Sequence, residues 1–169
     1  QGVDRRAGEW QWIPNAVNDA VKYCGYNAKK GDVFLDGFSF PPVPIAYVPS
    51  HRSGRAIEGS RLIANFFAGD KGTAKFTYKK VPRKSGKIRV CCAAFSGYDQ
   101  FRIVLNGNVV HEGACPKDAK SPDAGDPRHF EFEVPATFLK KGENVLEFDN
   151  TSHAWLELVY VVIQPEIRK

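Results

Sequence analysis

Phe101-Arg-Ile-Val-Leu-Asn-Gly-Asn-Val-Val-His111 reads as two short strands joined by a tight turn. Phe101, Ile103 and Leu105 alternate with Arg102 and Val104, the period-two pattern of a strand with a buried face. Asn106-Gly107 is the dipeptide that best accepts the left-handed conformation of a hairpin turn, and Val109-Val110 returns. The same grammar continues on both sides. Downstream stand Phe130-Glu-Phe-Glu-Val-Pro135, with Phe130, Phe132 and Val134 on one face, then Val145 to Phe148, then Trp155-Leu-Glu-Leu-Val-Tyr-Val-Val-Ile163. Upstream, Thr73 to Lys79 puts Ala74, Phe76 and Tyr78 on one face, and Lys87 to Ala94 puts Ile88, Val90, Cys92 and Ala94 inward. Ala56 to Phe67 holds one or two more strands. Eight or nine short strands, punctuated by Gly, Pro and Asn, predict an all-β sandwich.

The totals agree with one domain. A chain of 169 residues with 43% hydrophobic and 25% charged residues can bury its own core without metals or disulfides. No apolar run is long enough to span a membrane as a helix. The sandwich is expected over residues 56–165, and residues 1–55 form an N-terminal extension and long loop packed on it. Within the extension, Ala16, Val17, Ala20, Val21 and Tyr23 have near-helical spacing, compatible with one short helix. Gly31 to Gly59 is Pro-rich yet carries Phe34, Leu35, Phe38, Phe40, Ile45, Tyr47 and Val48, so it should pack against the sandwich rather than extend into solvent.

The sequence starts at Gln1, contains no Met and shows no leader, which reads as a mature secreted chain. In that setting the four cysteines, Cys24, Cys91, Cys92 and Cys115, are expected to form two disulfides. Neighbouring strand residues point to opposite faces, so Cys91 and Cys92 should reach different partners. No Cys-x-x-Cys or paired-His spacing supports a metal site.

Three stretches resemble the galactose-binding-like jelly roll, the fold of many carbohydrate-binding modules. They are Ile103-Val-Leu-Asn-Gly107, Phe130-Glu-Phe-Glu-Val-Pro-Ala136 and Leu139-Lys-Lys-Gly-Glu-Asn-Val-Leu146. The likeness is nearest to the C-terminal domain of rhamnogalacturonan lyases. It implies a jelly-roll β-sandwich whose ligand site lies in loops at one end. Many modules of this fold also carry a structural Ca2+, held by an acidic residue entering the last strand. Val159 stands there in this chain, which lowers the expectation of calcium. Asp36, Glu58, Asp70 and Glu157 are the remaining oxygen donors, and no other cofactor is expected.

Sugar rings stack their C–H faces on Trp and Tyr while Asn, Asp, Gln and Arg take the hydroxyls. The candidate binding residues are therefore Tyr98, Asp99 and Gln100 in one polar loop, Asn150 and Trp155 around another, and Tyr47 with Arg52 in the Pro-rich stretch. Asn150-Thr-Ser152 is also an N-glycosylation sequon. The net charge of +5 favours acidic partners. If the strands flanking Pro82 to Gly86 pair as a hairpin, Lys75, Lys79, Lys87 and Arg89 form a basic face suited to an anionic polysaccharide. The aromatic-and-basic interleaving of RNA-binding domains is missing, so nucleic acid is not an expected partner.

The expected function is that of a secreted, non-catalytic carbohydrate-binding module. A small polysaccharide lyase or glycosidase is the alternative, with Tyr47, His51, Arg52 and Arg55 as the residues that would act. A structural or adhesion protein that binds another protein is a further alternative. No nucleophile elbow supports serine catalysis.

Overall fold

The computed structural model describes residues 32–35, 38–39, 64–66, 68–83, 85–95, 100–116, 128–153 and 156–165. The expected helix near Ala16 to Tyr23 lies outside them. Among the described residues nine strands run in chain order: β1 (Val33–Phe34), β2 (Ala64–Phe66), β3 (Lys71–Tyr78), β4 (Lys87–Phe95), β5 (Gln100–Leu105), β6 (Asn108–Ala114), β7 (Arg128–Pro135), β8 (Gly142–Asn150) and β9 (Leu156–Gln164). A single 3-10 turn, Ala136–Phe138, joins β7 to β8 among the described residues. Every pairing is antiparallel, and the strands divide into two sheets. One follows the order β1-β9-β4-β7, with β2 beside β1 on the same edge of β9; the other follows β3-β8-β5-β6. This is the expected jelly-roll β-sandwich.

The strands form where the alternation predicts. β3 buries Gly72, Ala74, Phe76 and Tyr78 and turns Lys71, Thr73, Lys75 and Thr77 outward. Asn106 and Gly107 take φ of 50° and 80°, so the β5–β6 hairpin closes through the left-handed turn that the dipeptide favours. β9 differs. Leu156 and every residue from Leu158 to Ile163 are buried, so both faces of this strand are covered and no alternation shows.

The core is built around aromatic rings that run from one side of the sandwich to the other. Phe38 meets Phe66 at 5.5 Å, Phe66 meets Phe148 at 5.1 Å, and Phe148 stacks on Phe101 at 5.5 Å. Phe101 continues to Phe130 at 4.9 Å and to His111 at 4.6 Å, and His111 stacks on Phe132 at 4.7 Å. Offset and edge-on contacts at these distances add to the hydrophobic stabilisation of each ring.

Two sequence expectations change here. Of the stretch from Gly31 to Gly59 only residues 32–35 and 38–39 are described, and these do more than pack on the sandwich. Val33 and Phe34 pair with Ile163 and Val162, and Ser39 bridges Thr73, so this segment is hydrogen-bonded to both sheets. Its Phe34, Leu35 and Phe38 are buried at 2%, 1% and 2% exposure, whereas Phe40, Ile45, Tyr47 and Val48 lie outside the described residues. Second, β3 and β4 do not pair with each other. β3 joins β8, whereas β4 joins β7 and β9 in the opposite sheet.

Room for Phe38 and Phe66 comes from Gly72. A Cβ there would stand 2.9 Å from the Phe66 ring and 3.2 Å from the Phe38 Cβ. Gly72→Ala is expected to destabilise the protein by about 1–3 kcal/mol through overpacking. A urea titration should show a lower midpoint at unchanged slope.

Candidate functional site

Strand direction gives the sandwich two unlike ends. At one end, β4 finishes at Phe95, β5 begins at Gln100, β8 finishes at Asn150 and β9 begins at Leu156. The register brings these termini together: Phe101 faces Asn150, Phe95 faces Glu157, and Phe66 faces Leu156. In sequence, these strand ends flank the polar stretches Ser96 to Asp99 and Thr151 to Trp155. Tyr98, Asp99 and Trp155 lie outside the described residues, as do Tyr47, Arg52, His51 and Arg55. Gln100 is described and exposed, as are Thr151, His153 and Arg128 at the same end.

Asn150 is not available to a ligand. It is 1% exposed, and its Nδ2 donates to the Phe66 carbonyl at 3.4 Å. Its Oδ1 accepts from the Ser152 amide at 3.1 Å and the Ser152 hydroxyl at 2.7 Å. Its backbone N–H donates to Asp70 and its carbonyl accepts from Gly69, so the residue fastens the 68–70 turn to the end of β8. The sequon nitrogen is the same Nδ2, buried and engaged, so the folded protein does not present it for glycosylation.

The opposite end is structural. Asn106 Nδ2 donates to the Phe138 carbonyl at 2.8 Å and to Asn144 Oδ1 at 2.7 Å, while Asn106 Oδ1 accepts from the Val145 amide at 2.9 Å. Asn144, fully buried, donates to the carbonyls of Lys140 and Gly142 at 2.8 and 2.9 Å and accepts from the Lys140 amide at 3.0 Å. These asparagines explain why Leu139-Lys-Lys-Gly-Glu-Asn carries a fold resemblance. The motif builds a turn, not a binding surface.

The expected basic face is not assembled. Lys75 belongs to the four-stranded sheet and meets Glu143 at 3.7 Å. Lys87 and Arg89 belong to the other sheet. Lys87 meets Glu133 at 3.8 Å, and Arg89 lies 3.7 Å from Glu131 and 3.6 Å from Glu133. Lys79 follows β3 and is exposed. A second alternating row crosses the four-stranded sheet as Lys71, Asp149, Arg102 and Glu112, with Arg102 at 3.7 Å from both acids. Burial raises the Asp149 carboxyl above its ordinary range; Glu147 adds to the rise, and Lys71 and Arg102 oppose it. The more exposed of these pairs stabilise by only about 0–1 kcal/mol each, but each sets an acid against its cation.

No disulfide joins Cys91, Cys92 and Cys115 to one another, and Cys24 lies outside the described residues. Cys91 and Cys92 take opposite faces of β4 and both are buried. The Cys91 thiol donates to Glu131 at 3.9 Å. Among the described residues, no three His, Cys, Asp or Glu side chains are grouped to hold a metal ion. Of the four calcium-donor candidates, only the Asp70 side chain is described, and its carbonyl accepts from Asn150. No helix of the described residues is long and apolar enough to cross a membrane.

His111 sits between the Phe101 and Phe132 rings with its Nε2 buried and without a hydrogen-bond partner among the described residues. Burial holds its pKa below the ordinary 6.5, against the raising effect of backbone hydrogen bonds at Gly113 and Ala114. The unfolded chain therefore takes up the proton first as pH falls. Stability should be full above pH 6.5 and decline as pH drops below it toward the folded-state value. Asp149 acts in the opposite sense: its raised carboxyl favours the fold below 3.8 and that contribution is lost as pH rises through its folded value. Denaturant melts of wild type and His111→Phe at several pH values isolate the histidine, and the decline just below pH 6.5 should vanish in the variant.

No protein-family model matches the sequence, and no curated protein matches it. Several solved structures are similar in backbone. A beta-(1,4)-mannanase of Podospora anserina, GH26-CBM35, matches with 14% identity and a TM-score of 0.47 over 83% of this chain. This chain spans 29% of the length of that mannanase. CBM35 from Paenibacillus barcinonensis matches at 13% identity and a TM-score of 0.43, covering 82% of this chain and 96% of the module. The CBM36-1 domain of a multidomain xylanase from the hindgut metagenome of Trinervitermes trinervoides matches at 11% identity and a TM-score of 0.46, covering 81% and 99%.

Proposed function

We propose that this chain is a non-catalytic carbohydrate-binding module acting outside the cell, with its ligand site at the end of the sandwich where β4, β5, β8 and β9 meet. One observation carries the reading: the two ends are chemically unlike. The Asn106–Asn144 end spends its polar groups on its own turns. The other end gathers the strand termini that flank Ser96-Gly-Tyr-Asp-Gln100 and the Thr151 to Trp155 stretch, where sugar-stacking and hydroxyl-binding side chains occur in sequence. In this reading Tyr98 and Trp155 stack on the ligand, and Asp99 and Gln100 take its hydroxyls. Asn150 serves as a strut at the end of β8.

The charges support a ligand held without a large electrostatic contribution. Lys75, Lys87 and Arg89 face glutamates across their own sheets, so they provide no unopposed field for a polyanion. The site accordingly takes its ligand by stacking and hydrogen bonding. A screen of neutral, pectic and sulfated polysaccharides, with a reducing-end assay on each hit, tests the reading. Binding without new reducing ends is expected, with affinity changing little between low and high salt, where exposed charges are screened beyond about 8–10 Å. Tyr98→Ala should weaken binding by roughly tenfold or more, the scale of one lost stacking contact. New reducing ends would make the protein an enzyme. Absence of binding to every class would overturn the proposal.

A further inference from the structure

We propose that Asn106 is a deamidation site whose chemistry the fold suppresses, and that its conversion in the opened chain blocks return to the native state. Asn106-Gly107 is the single Asn-Gly step in the sequence. A glycine after asparagine leaves the next backbone nitrogen sterically open. That nitrogen attacks the asparagine Cγ, a C–N bond forms, and the side-chain Nδ2 leaves as ammonia, taking up the proton lost from the attacking amide. The resulting five-membered imide then adds water and opens to aspartate or to isoaspartate.

In the folded protein both ends of the reacting amide are held. Nδ2, the leaving group, donates to Phe138 and Asn144. Oδ1 accepts from Val145. The backbone N–H of Asn106 donates to the Val145 carbonyl at 2.9 Å, and the residue is fixed in the turn at φ 50°. Cγ cannot swing onto the Gly107 nitrogen without breaking these bonds together. Opening of this end is thus a precondition of the reaction, and the native rate is reduced by the opening equilibrium.

The product no longer fits. An aspartate at 106 has no donor for Asn144 Oδ1 or the Phe138 carbonyl, and places a negative charge beside both acceptors. Isoaspartate lengthens the backbone by one carbon within a two-residue turn, so the Leu105–Asn108 pairing is lost as well. The same network that protects the residue rejects its product. Unfolding that lasts long enough for this step becomes irreversible.

The test uses the full chain, held at mildly alkaline pH in native buffer and in urea. Peptide mass analysis follows the gain of about 1 Da at Asn106, the mass difference between an amide and an acid. The aged urea sample is then diluted into native buffer. Conversion at Asn106 should be at least roughly tenfold slower in the native protein than in urea, the ratio expected when reaction requires local opening. The fraction that refolds should fall in step with conversion. Asn106→Asp, purified and refolded in parallel, should unfold at lower urea than wild type; if it fails to fold, the unconverted fraction of aged wild type still supplies the comparison. Equal rates in the two states would overturn the protection, and full refolding of converted chains would overturn the block.

Discussion

Phe101→Ala is expected to lower the unfolding free energy by about 3–5 kcal/mol, the range for removing a buried aromatic ring from a packed core. Phe101 is fully buried and touches the rings of His111, Phe130, Phe132 and Phe148. No single neighbour can collapse into the space, because each belongs to a strand fixed by its own ladder: β6, β7 and β8. The cost therefore combines lost burial with a retained cavity. Phe130→Ala is expected to cost less, since Phe130 meets two of these rings, Phe101 and Phe132, where Phe101 meets four, and it stands on β7, at the end of its sheet's strand order. Thermal denaturation measures the difference. At about 2–4 °C per kcal/mol for a chain of this size, Phe101→Ala should lower the midpoint by roughly 10 °C.

The second large effect is expected at Asn144. Its side chain is fully buried and satisfies the Lys140 amide, the carbonyls of Lys140 and Gly142, and one proton of Asn106. Asn144→Leu keeps the volume but strands those groups, and should cost about 2–4 kcal/mol if one or two of the four stay without water, at about 1–3 kcal/mol for each. Asn144→Asp should be worse at neutral pH than at acid pH. An ionised carboxylate still accepts from Lys140 and Asn106 but faces two carbonyl oxygens with no proton to give. Urea titrations of both variants at pH 7 and pH 4 separate loss of the acceptor from loss of the donor. Equal destabilisation of Asn144→Asp at both pH values would show that the two donated bonds contribute little.

The one-sided strands were legible in the sequence because alternation is a direct imprint of burial. Phe130, Phe132 and Val134 point as their spacing requires, and Asn106-Gly107 closes its hairpin. Partnership was less legible. β3 and β4 are consecutive, β4 alternates like β3 at its start (Lys87 to Val90), and a Pro- and Gly-containing stretch joins them, yet they enter opposite sheets. Nothing local distinguishes a hairpin turn from a connection between sheets, so the basic face inferred from that pairing was not formed. β1 was hidden for another reason: two residues carry no period, and its register is set by β9, about 130 residues away. Asn150 misled because a short polar side chain suits a sugar hydroxyl and a buried turn equally well. Burial separates the two, and burial is not local.

β9 holds β1 and β2 on one edge and β4 on the other. It is also the last of the nine strands to be synthesised. A nascent chain still attached to the ribosome before β9 emerges has only the β4–β7 pairing of its five-stranded sheet. β1 and β2, made 90 or more residues before their β9 partners, must wait for those pairings. This sandwich cannot be completed progressively from its N-terminus. Its folding is gated by the arrival of one late segment, and during that interval the chain is most exposed to pairing with the wrong partner.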